Sequence, residues 1–435
     1  VVTFDEFYQS LDSNDNVRGE QFEKKFAIWF LKTDPTWSSQ IDEVWLWDNY
    51  PQRSEWGPDC GIDIVFHHVN GERWAVQAKC FSPDNYLNKA ELNSFIADAS
   101  DERFQGRLLI SSTNKIGPNA DKLLKRHKVI RILLKDLRDA YLNYPSSIKD
   151  LYKVNQPEKY TPKPHQREAI NEVTEKLNSV DKGQVIMACG TGKTLTSLWI
   201  KEKLFAENTL VLVPSLSLLR QLLKNWNSQK SQSFKWLCVC SDNTVAKDKK
   251  NDAWIANSSE LDISVTSDLY KIKEFLSQLG PKVIFSTYQS SDLICEVQQI
   301  MSQFIFDLTI ADEAHNCTGR LETYFGNILD DNKIRTSKKL FFTATPKILS
   351  ARIKNQSKEK EIDVASMDDE SVFGEVLHKL DFSEAIKNDI LTDYQVSIVG
   401  IDNKEIRESI QNRELITTYG DYIFDAESLG TYIAI

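Results

Sequence analysis

A chain of 435 residues is too long for one ordinary domain, and at about 150 residues per domain it should hold two or three. Hydrophobic content of 41% and charged content of 27% are those of a globular protein, no run approaches the roughly 18 apolar residues of a membrane span, and the opening VVTFDEFYQSLDSNDN lacks the basic start and apolar core of a signal peptide. Seven cysteines without a CxxC pair imply reduced thiols in a cytoplasm, and a net charge of −10 argues against passive polyanion binding but leaves room for a local basic surface on DNA.

Residues 1–150 hold six of the ten tryptophans and read as a mixed α/β unit. GEQFEKKFAIWFL (19–31) has helical spacing, with Phe22, Phe26, Trp29 and Phe30 on one side. Two β-rich runs, IDIVFHH and ERWAVQAKC, follow around Val69-Asn70-Gly71, and then come RLLISST (107–113), a helix through Ala120–Lys128, and VIRILL. Lys122, Lys125, Arg126, Lys128 and Arg131 form the densest basic stretch, read as a solvated helix face. A polar, proline-rich stretch from Pro145 to Pro164 is a natural linker. After it, QVIMACG, NTLVLVPS, KVIFSTYQ, FDLTIADE and KLFFTATP are near-continuous apolar runs, as parallel strands buried on both faces require. NQSKEKEIDVASMDDE (355–370) reads as a mobile loop, and DYQVSIVGI (393–401) as the opening strand of another unit. The expected fold is α/β throughout, with a mixed-sheet domain over 1–150, a linker over 151–162, a parallel-sheet domain over 163–355, and a connecting segment with the start of a further unit over 356–435.

MACGTGKT (187–194) follows one of these strands and precedes a helix. A triphosphate needs inward-turned backbone N–H groups at the positive end of a helix, and Gly190, Thr191 and Gly192 supply such a loop. Lys193 would reach the β- and γ-phosphates, and the Thr194 hydroxyl would ligate Mg²⁺. Met187 stands where the strict pattern has glycine, so the loop is a variant. FDLTIADEAH (306–315) ends an apolar strand in two carboxylates. Asp312 would hold Mg²⁺, Glu313 would activate the attacking water, and His315 sits where it could couple nucleotide state to a neighbouring strand.

The order of these segments resembles superfamily 2 helicases and translocases. KPHQREAI (163–170) is similar to the glutamine motif, MACGTGKT to motif I, LVPSLSLLRQ to motif Ia, FSTYQS to motif Ib, DEAH to motif II and TATP to motif III. The resemblance implies a RecA-like fold, ATP and Mg²⁺ as cofactors, Gln166 on the adenine edge, nucleic-acid contacts from motifs Ia and Ib, and motif III linking hydrolysis to movement. The family's late QxxGRxxR-type motif, with its arginine finger, does not occur in these 435 residues, so a longer enzyme is expected, with the start of a second RecA-like domain at 356–435.

In the first unit, Asp59, Gly61, Asp63, Gln77 and Lys79 form a second constellation. Phosphodiester hydrolysis with Mg²⁺ needs an acidic ligand, a second oxygen ligand and a cation. Gln77 and Lys79 share a strand face. A two-residue Asn70-Gly71 turn would pair 63 with 78 and put Asp63 on the wrong side. A three-residue loop over 69–71, with Gly71 left-handed, pairs 63 with 77. GEQFEKKFAIWF, DCGID, QAK and LLISST in this order resemble the Mrr-type PD-(D/E)xK nucleases. That likeness implies Glu23 as a helix-borne acid, Asp63 and Gln77 as metal ligands, and Lys79 as the catalytic cation. His67 and His68 are read as structural or solvent-facing.

An Mrr-like nuclease preceding a DEAH-box motor resembles the Type ISP restriction enzymes. The resemblance implies ATP-driven translocation on double-stranded DNA coupled to Mg²⁺-dependent cleavage, in the cytoplasm and without a membrane. It further implies a methyltransferase and target-recognition region, using S-adenosylmethionine, outside this chain. A Type I motor subunit, or an ATP-driven remodeller whose first domain only clamps DNA, are the alternatives, and RNA stays possible as substrate.

Overall fold

A computed structural model describes residues 2–55, 61–154, 156–240, 262–320, 323–352, 354–355 and 363–393, and the backbone of 415–418 and 422–425. Residues Val1–Ala385 form one compact unit that contains two large sheets and a two-stranded one, and Ile386–Ile435 form another. Asp59 and all but the first residue of the strand expected over 393–401 lie outside the described residues.

The first sheet runs in simple chain order: β1 (Ile41–Leu46), β2 (Ile64–His68), β3 (Arg73–Lys79), β4 (Gly106–Ser111) and β5 (Ile130–Ile132). β1, β2 and β3 pair antiparallel, and β3, β4 and β5 pair parallel. Side chains alternate as the pleat demands. Ile64, Phe66, Trp74, Val76 and Ala78 meet the aromatic stripe Phe22, Phe26, Trp29 and Phe30 on one face, while Val65, Ala75 and Leu109 meet Phe95, Ala99, Ala120 and Leu124 on the other. The stripe keeps its register, but the helix does not stay α. It passes from α-helix at Asp15–Glu20 through a π-helical turn at Gln21–Phe26 and back to α-helix at Ala27–Thr33. β1 had no sequence counterpart, because IDEVWL places two acids on an exposed edge and breaks the apolar run. The basic stretch splits in the structure: Arg131 lies on β5, not on the helix Pro118–Arg126, and is buried at 2.7 Å from Asp121.

The second sheet has seven strands, all parallel: β6 (Lys182–Met187), β7 (Asn208–Val213), β8 (Lys235–Val239), β9 (Lys282–Thr287), β10 (Phe306–Ala311), β12 (Thr336–Thr343) and β14 (Glu375–Leu380), in the order β14-β6-β12-β10-β7-β9-β8. Its central strands are buried on both faces. Val211, Val213 and Phe285 pack toward one helical layer, and Leu210, Leu212 and Ile284 toward the other. β14, which the sequence assigns to the connecting segment, instead adds to this sheet beside β6. Two residues of the expected loop, β13 (Val364–Ala365), pair with β11 (Gly319–Arg320).

Polar contacts tie the two sheets into one unit. The Gln40 amide donates to the Trp236 carbonyl at 3.1 Å, and the Trp236 indole donates to Ser39 Oγ at 2.9 Å. Arg220, on the helix Leu216–Gln229 that packs on the seven-stranded sheet, sits 2.6 Å from buried Asp136 beside the first sheet and 2.5 Å from buried Asp262. Opening the contact would strip buried Asp136 of its guanidinium partner, whereas Asp262 would keep Arg220 and Lys224, so the cost of separation falls on Asp136. Among the described residues, no helix is long and apolar enough to cross a membrane.

Candidate active sites

The phosphate loop joins β6 to the helix Lys193–Lys203. Gly190 and Gly192 have φ of +85° and +90°, which only glycine adopts without strain. Gln166, 5% exposed on the helix Pro164–Lys176, clasps the loop: its amide nitrogen lies 3.3 and 3.4 Å from the carbonyls of Thr191 and Gly192, and its oxygen accepts from the Lys163 N–H. A Cβ on Gly192 would stand 2.2 Å from that amide nitrogen. Gly192→Ala is therefore expected to cost about 1–3 kcal/mol and to weaken nucleotide binding, checked by thermal unfolding and titration with an ATP analogue. Unchanged values would mean that the loop does not need this conformation.

Lys193 and Thr194 are the first two residues of the helix that follows the loop. The Lys193 ammonium is 3.4 Å from the Met187 carbonyl and 3.9 Å from the Glu313 carboxylate. Asp312 and Glu313 follow β10 directly, on the same side of the sheet as the loop. Glu313 has φ +48°, left-handed for a non-glycine residue, and the Asn316 side chain donates to its carbonyl at 2.8 Å. The Tyr288 hydroxyl donates to the Asp312 carbonyl at 2.8 Å, fixing the turn from the neighbouring segment FSTYQS. His315 Nδ1 lies 3.4 Å from Glu313 and 3.1 Å from Thr343 Oγ1 at the end of β12. That contact joins DEAH to TATP, where sequence reasoning had placed His315 only beside an unspecified strand.

Burial pushes the Asp312 carboxyl up to about 6, Glu313 adds to the rise, and Lys193 opposes it. The folded state thus holds a proton that the unfolded state loses, and stability from this group falls as pH rises from about 4 through about 6. Asp312→Asn is expected to stabilise the metal-free chain by about 1–2 kcal/mol at neutral pH, with the gain disappearing toward pH 4. Thermal unfolding of both proteins across this range checks it, and a gain that grows toward acid pH would contradict it. Mg²⁺ suits such a site, since a buried carboxylate beside a second one gains from a cation, and Thr194 and Asp312 would hold it.

The nuclease candidates converge at the ends of β2 and β3. The hairpin has the three-residue loop over 69–71: the His68 N–H bonds to the Glu72 carbonyl, and Gly71 has φ +86°. Ile64 pairs with Val76, so the register continued by one residue sets Asp63 opposite Gln77. Asp63 leaves the regular ladder there. Its N–H bonds to the Val76 carbonyl at 2.9 Å, and its carboxylate accepts from the Ala78 N–H at 2.8 Å. Gln77 is 3% exposed, donates to the Gly61 carbonyl at 3.2 Å, and has an Oε1 with no hydrogen-bond partner. A buried amide oxygen without a donor beside a carboxylate is what a hard cation would satisfy. Glu23 lies on the π-helical turn, and Lys24, Lys79 and Glu91 line the same groove of 610 Å³ with it. Burial raises Glu23 and Asp63 above the usual carboxylate range, and Lys79 draws both back. Among the described residues, no trio of His, Cys, Asp or Glu forms a ready metal cage, so any ion here relies on Gln77 as well as the acids. His67 packs edge-on against Trp45, and His68 stacks on Trp74, which makes both structural.

Residues 32–153 match a restriction endonuclease family of the Mrr catalytic type, and residues 159–348 match a family described as Type III restriction enzyme, res subunit. The structure is similar to the ATP-dependent Type ISP restriction-modification enzyme LlaBIII bound to DNA, with 30% identity and a TM-score of 0.71, over 89% of this chain and 26% of that one. The chain thus resembles a Type ISP restriction-modification enzyme over most of its length. A nuclease-deletion mutant of the Type ISP enzyme LlaGI is 31% identical over 58% of this chain and 22% of its own, with a TM-score of 0.41. The probable helicase A859L of African swine fever virus (isolate Pig/Kenya/KEN-50/1950) is 28% identical over 58% of this chain and 26% of its own length. The chain thus spans about a quarter of the length of these relatives. Its nuclease match includes Asp63, Gln77 and Lys79 but begins after Glu23, and its motor match runs from before Gln166 to beyond Thr343.

Proposed function

We propose that this chain is the nuclease and motor part of a restriction enzyme that moves along double-stranded DNA by hydrolysing ATP and cleaves it with Mg²⁺. The likeness to a DNA-bound Type ISP enzyme over 89% of the chain, with residues for both chemistries in place, is the observation that carries the reading. Gly190, Thr191 and Gly192 would wrap the phosphates, Lys193 would neutralise the transferring phosphoryl group, and Gln166 would add an adenine contact to its grip on the loop. Mg²⁺, held by Thr194 and Asp312, would draw charge from the leaving phosphates. Glu313 would take the proton of the attacking water, and His315 would pass the change to Thr343.

In the nuclease, Mg²⁺ would polarise the scissile phosphate when bound. Asp63 and Gln77 would hold it, Glu23 would approach from the π-helical turn, and Lys79 would stabilise the phosphorane charge. A DNA-acting enzyme of this kind would work in the cytoplasm, and recognition and methylation by S-adenosylmethionine would belong to sequence beyond these 435 residues. Incubation of the complete enzyme with supercoiled plasmid is expected to give Mg²⁺-dependent nicks that a chelator prevents, with duplex DNA stimulating ATP turnover. DNA-stimulated ATP turnover without any nicking would instead favour a motor whose first domain only clamps DNA.

A further inference from the structure

A cavity of 310 Å³ lies at the junction of the first domain, the linker and the motor. Pro35 and Tyr141 face it from the first domain, Lys159 from the linker, and Asn227, Lys230 and Ser231 from the second, and among the described residues no carboxylate lines it. The Lys230 ammonium donates to Asn227 Oδ1 at 2.7 Å, which leaves the Asn227 amide nitrogen; that nitrogen is buried without a partner on a residue 3% exposed. The Lys159 ammonium donates to the Lys230 carbonyl, bringing a second cation to the same wall.

A third cation stands behind them. Lys201 is 0% exposed, and its ammonium has no hydrogen-bond partner. It lies 5.2 Å from the Phe234 ring centre, and the Lys230 ammonium lies 4.6 Å from the same ring. Glu202, next to Lys201 in sequence, does not serve the cavity with both its oxygens, because Oε1 accepts from the N–H groups of Ser231 and Gln232. Burial, with Lys159 and Lys201 adding to it, draws the Lys230 ammonium down to about 8. Two lysines on the wall of a cavity with no carboxylate among its described lining residues, a third buried lysine behind them, and a buried amide donor without an acceptor describe a site for an anion.

We propose that this cavity binds a phosphate group, as inorganic phosphate or as the phosphate of a mononucleotide, through Lys230, Lys159 and Asn227. A phosphate oxyanion takes several donors at once and matches the cluster of ammonium and amide groups, and the cavity is far too small for a duplex. The site is separate from the phosphate loop, and none of its residues belongs to either proposed active site.

The test is thermal unfolding of the 435-residue chain carrying Lys193→Ala, which weakens phosphate binding at the loop, titrated with inorganic phosphate or with AMP at constant ionic strength. Saturable stabilisation is expected. Adding Lys230→Met should weaken it at least about tenfold relative to the Lys193→Ala chain, each measured against its own unfolding temperature without phosphate. Lys159→Met, at an exposed position, should weaken it by a smaller factor and keeps the test valid if Lys230→Met does not fold. A response to both compounds assigns the site to the phosphate group alone, and a response to AMP only assigns it to a nucleotide. No saturable response to either, or an equal response with the cavity lysines replaced, would overturn the proposal.

Discussion

Lys193→Ala in the complete enzyme is expected to lower DNA-stimulated ATP hydrolysis by about 10²-fold or more while DNA binding survives. Lys193 opens the helix after left-handed Gly192, and its ammonium is held between the Met187 carbonyl and the Glu313 carboxylate. Both contacts are long, so the side chain can turn to an arriving phosphate without giving up a strong bond. Alanine at this position would leave the loop backbone and Asp312 in place but remove the charge that meets the transferring phosphoryl group. DNA binding should persist, because the helix that follows LVPS, with Arg220 bridging Asp136 and Asp262, does not depend on Lys193. Steady-state ATP turnover with and without duplex DNA, beside a DNA-binding titration, checks this. Turnover within a few-fold of the unmodified protein would remove the phosphate-loop assignment.

Asp63→Ala is expected to abolish Mg²⁺-dependent cleavage. Asp63 is the acid at the centre of the paired strands, since the position opposite is neutral Gln77. Its carboxylate is held by the Ala78 N–H, which points it across β3, and burial favours its neutral form until a cation arrives. Without it, an ion would meet one amide oxygen and Glu23, and a hard cation binds weakly to neutral oxygens. Residual nicking at high Mg²⁺ is expected through Glu23. The Ala78 N–H would lose its acceptor as well, a cost of about 1–3 kcal/mol, so Asp63→Asn serves as the control that keeps a hydrogen-bond acceptor there.

Much of this site was legible because its signals are local. Val69-Asn70-Gly71 with alternating strands on either side sets the hairpin register, and Gly71 adopts the left-handed turn that brings 63 opposite 77. GTGKT and DEAH each follow an apolar strand, and parallel pairing of β6, β12 and β10 brings their ends together. What escaped the sequence reading has no local signal. The π-helical turn carrying Glu23 leaves the aromatic stripe intact, so the stripe reads as plain helix. β14 joins β6 across nearly 190 residues of chain, and nothing in EVLHKL names its partner. The Arg220 contact to Asp136 likewise depends on two domains meeting, and neither residue stands out in its own segment.

The most direct test of the proposed nuclease and motor measures ATP turnover and plasmid cleavage on one preparation of the complete enzyme carrying Asp63→Ala. The two sets of residues sit on different sheets and share no side chain, so their effects should be nearly independent. ATP turnover is expected to stay within about twofold of the unmodified protein while cleavage is lost. Cleavage at the unmodified rate would place the nuclease elsewhere or make the first domain a DNA clamp, and loss of both activities together would mean that Asp63 supports the fold instead of the chemistry.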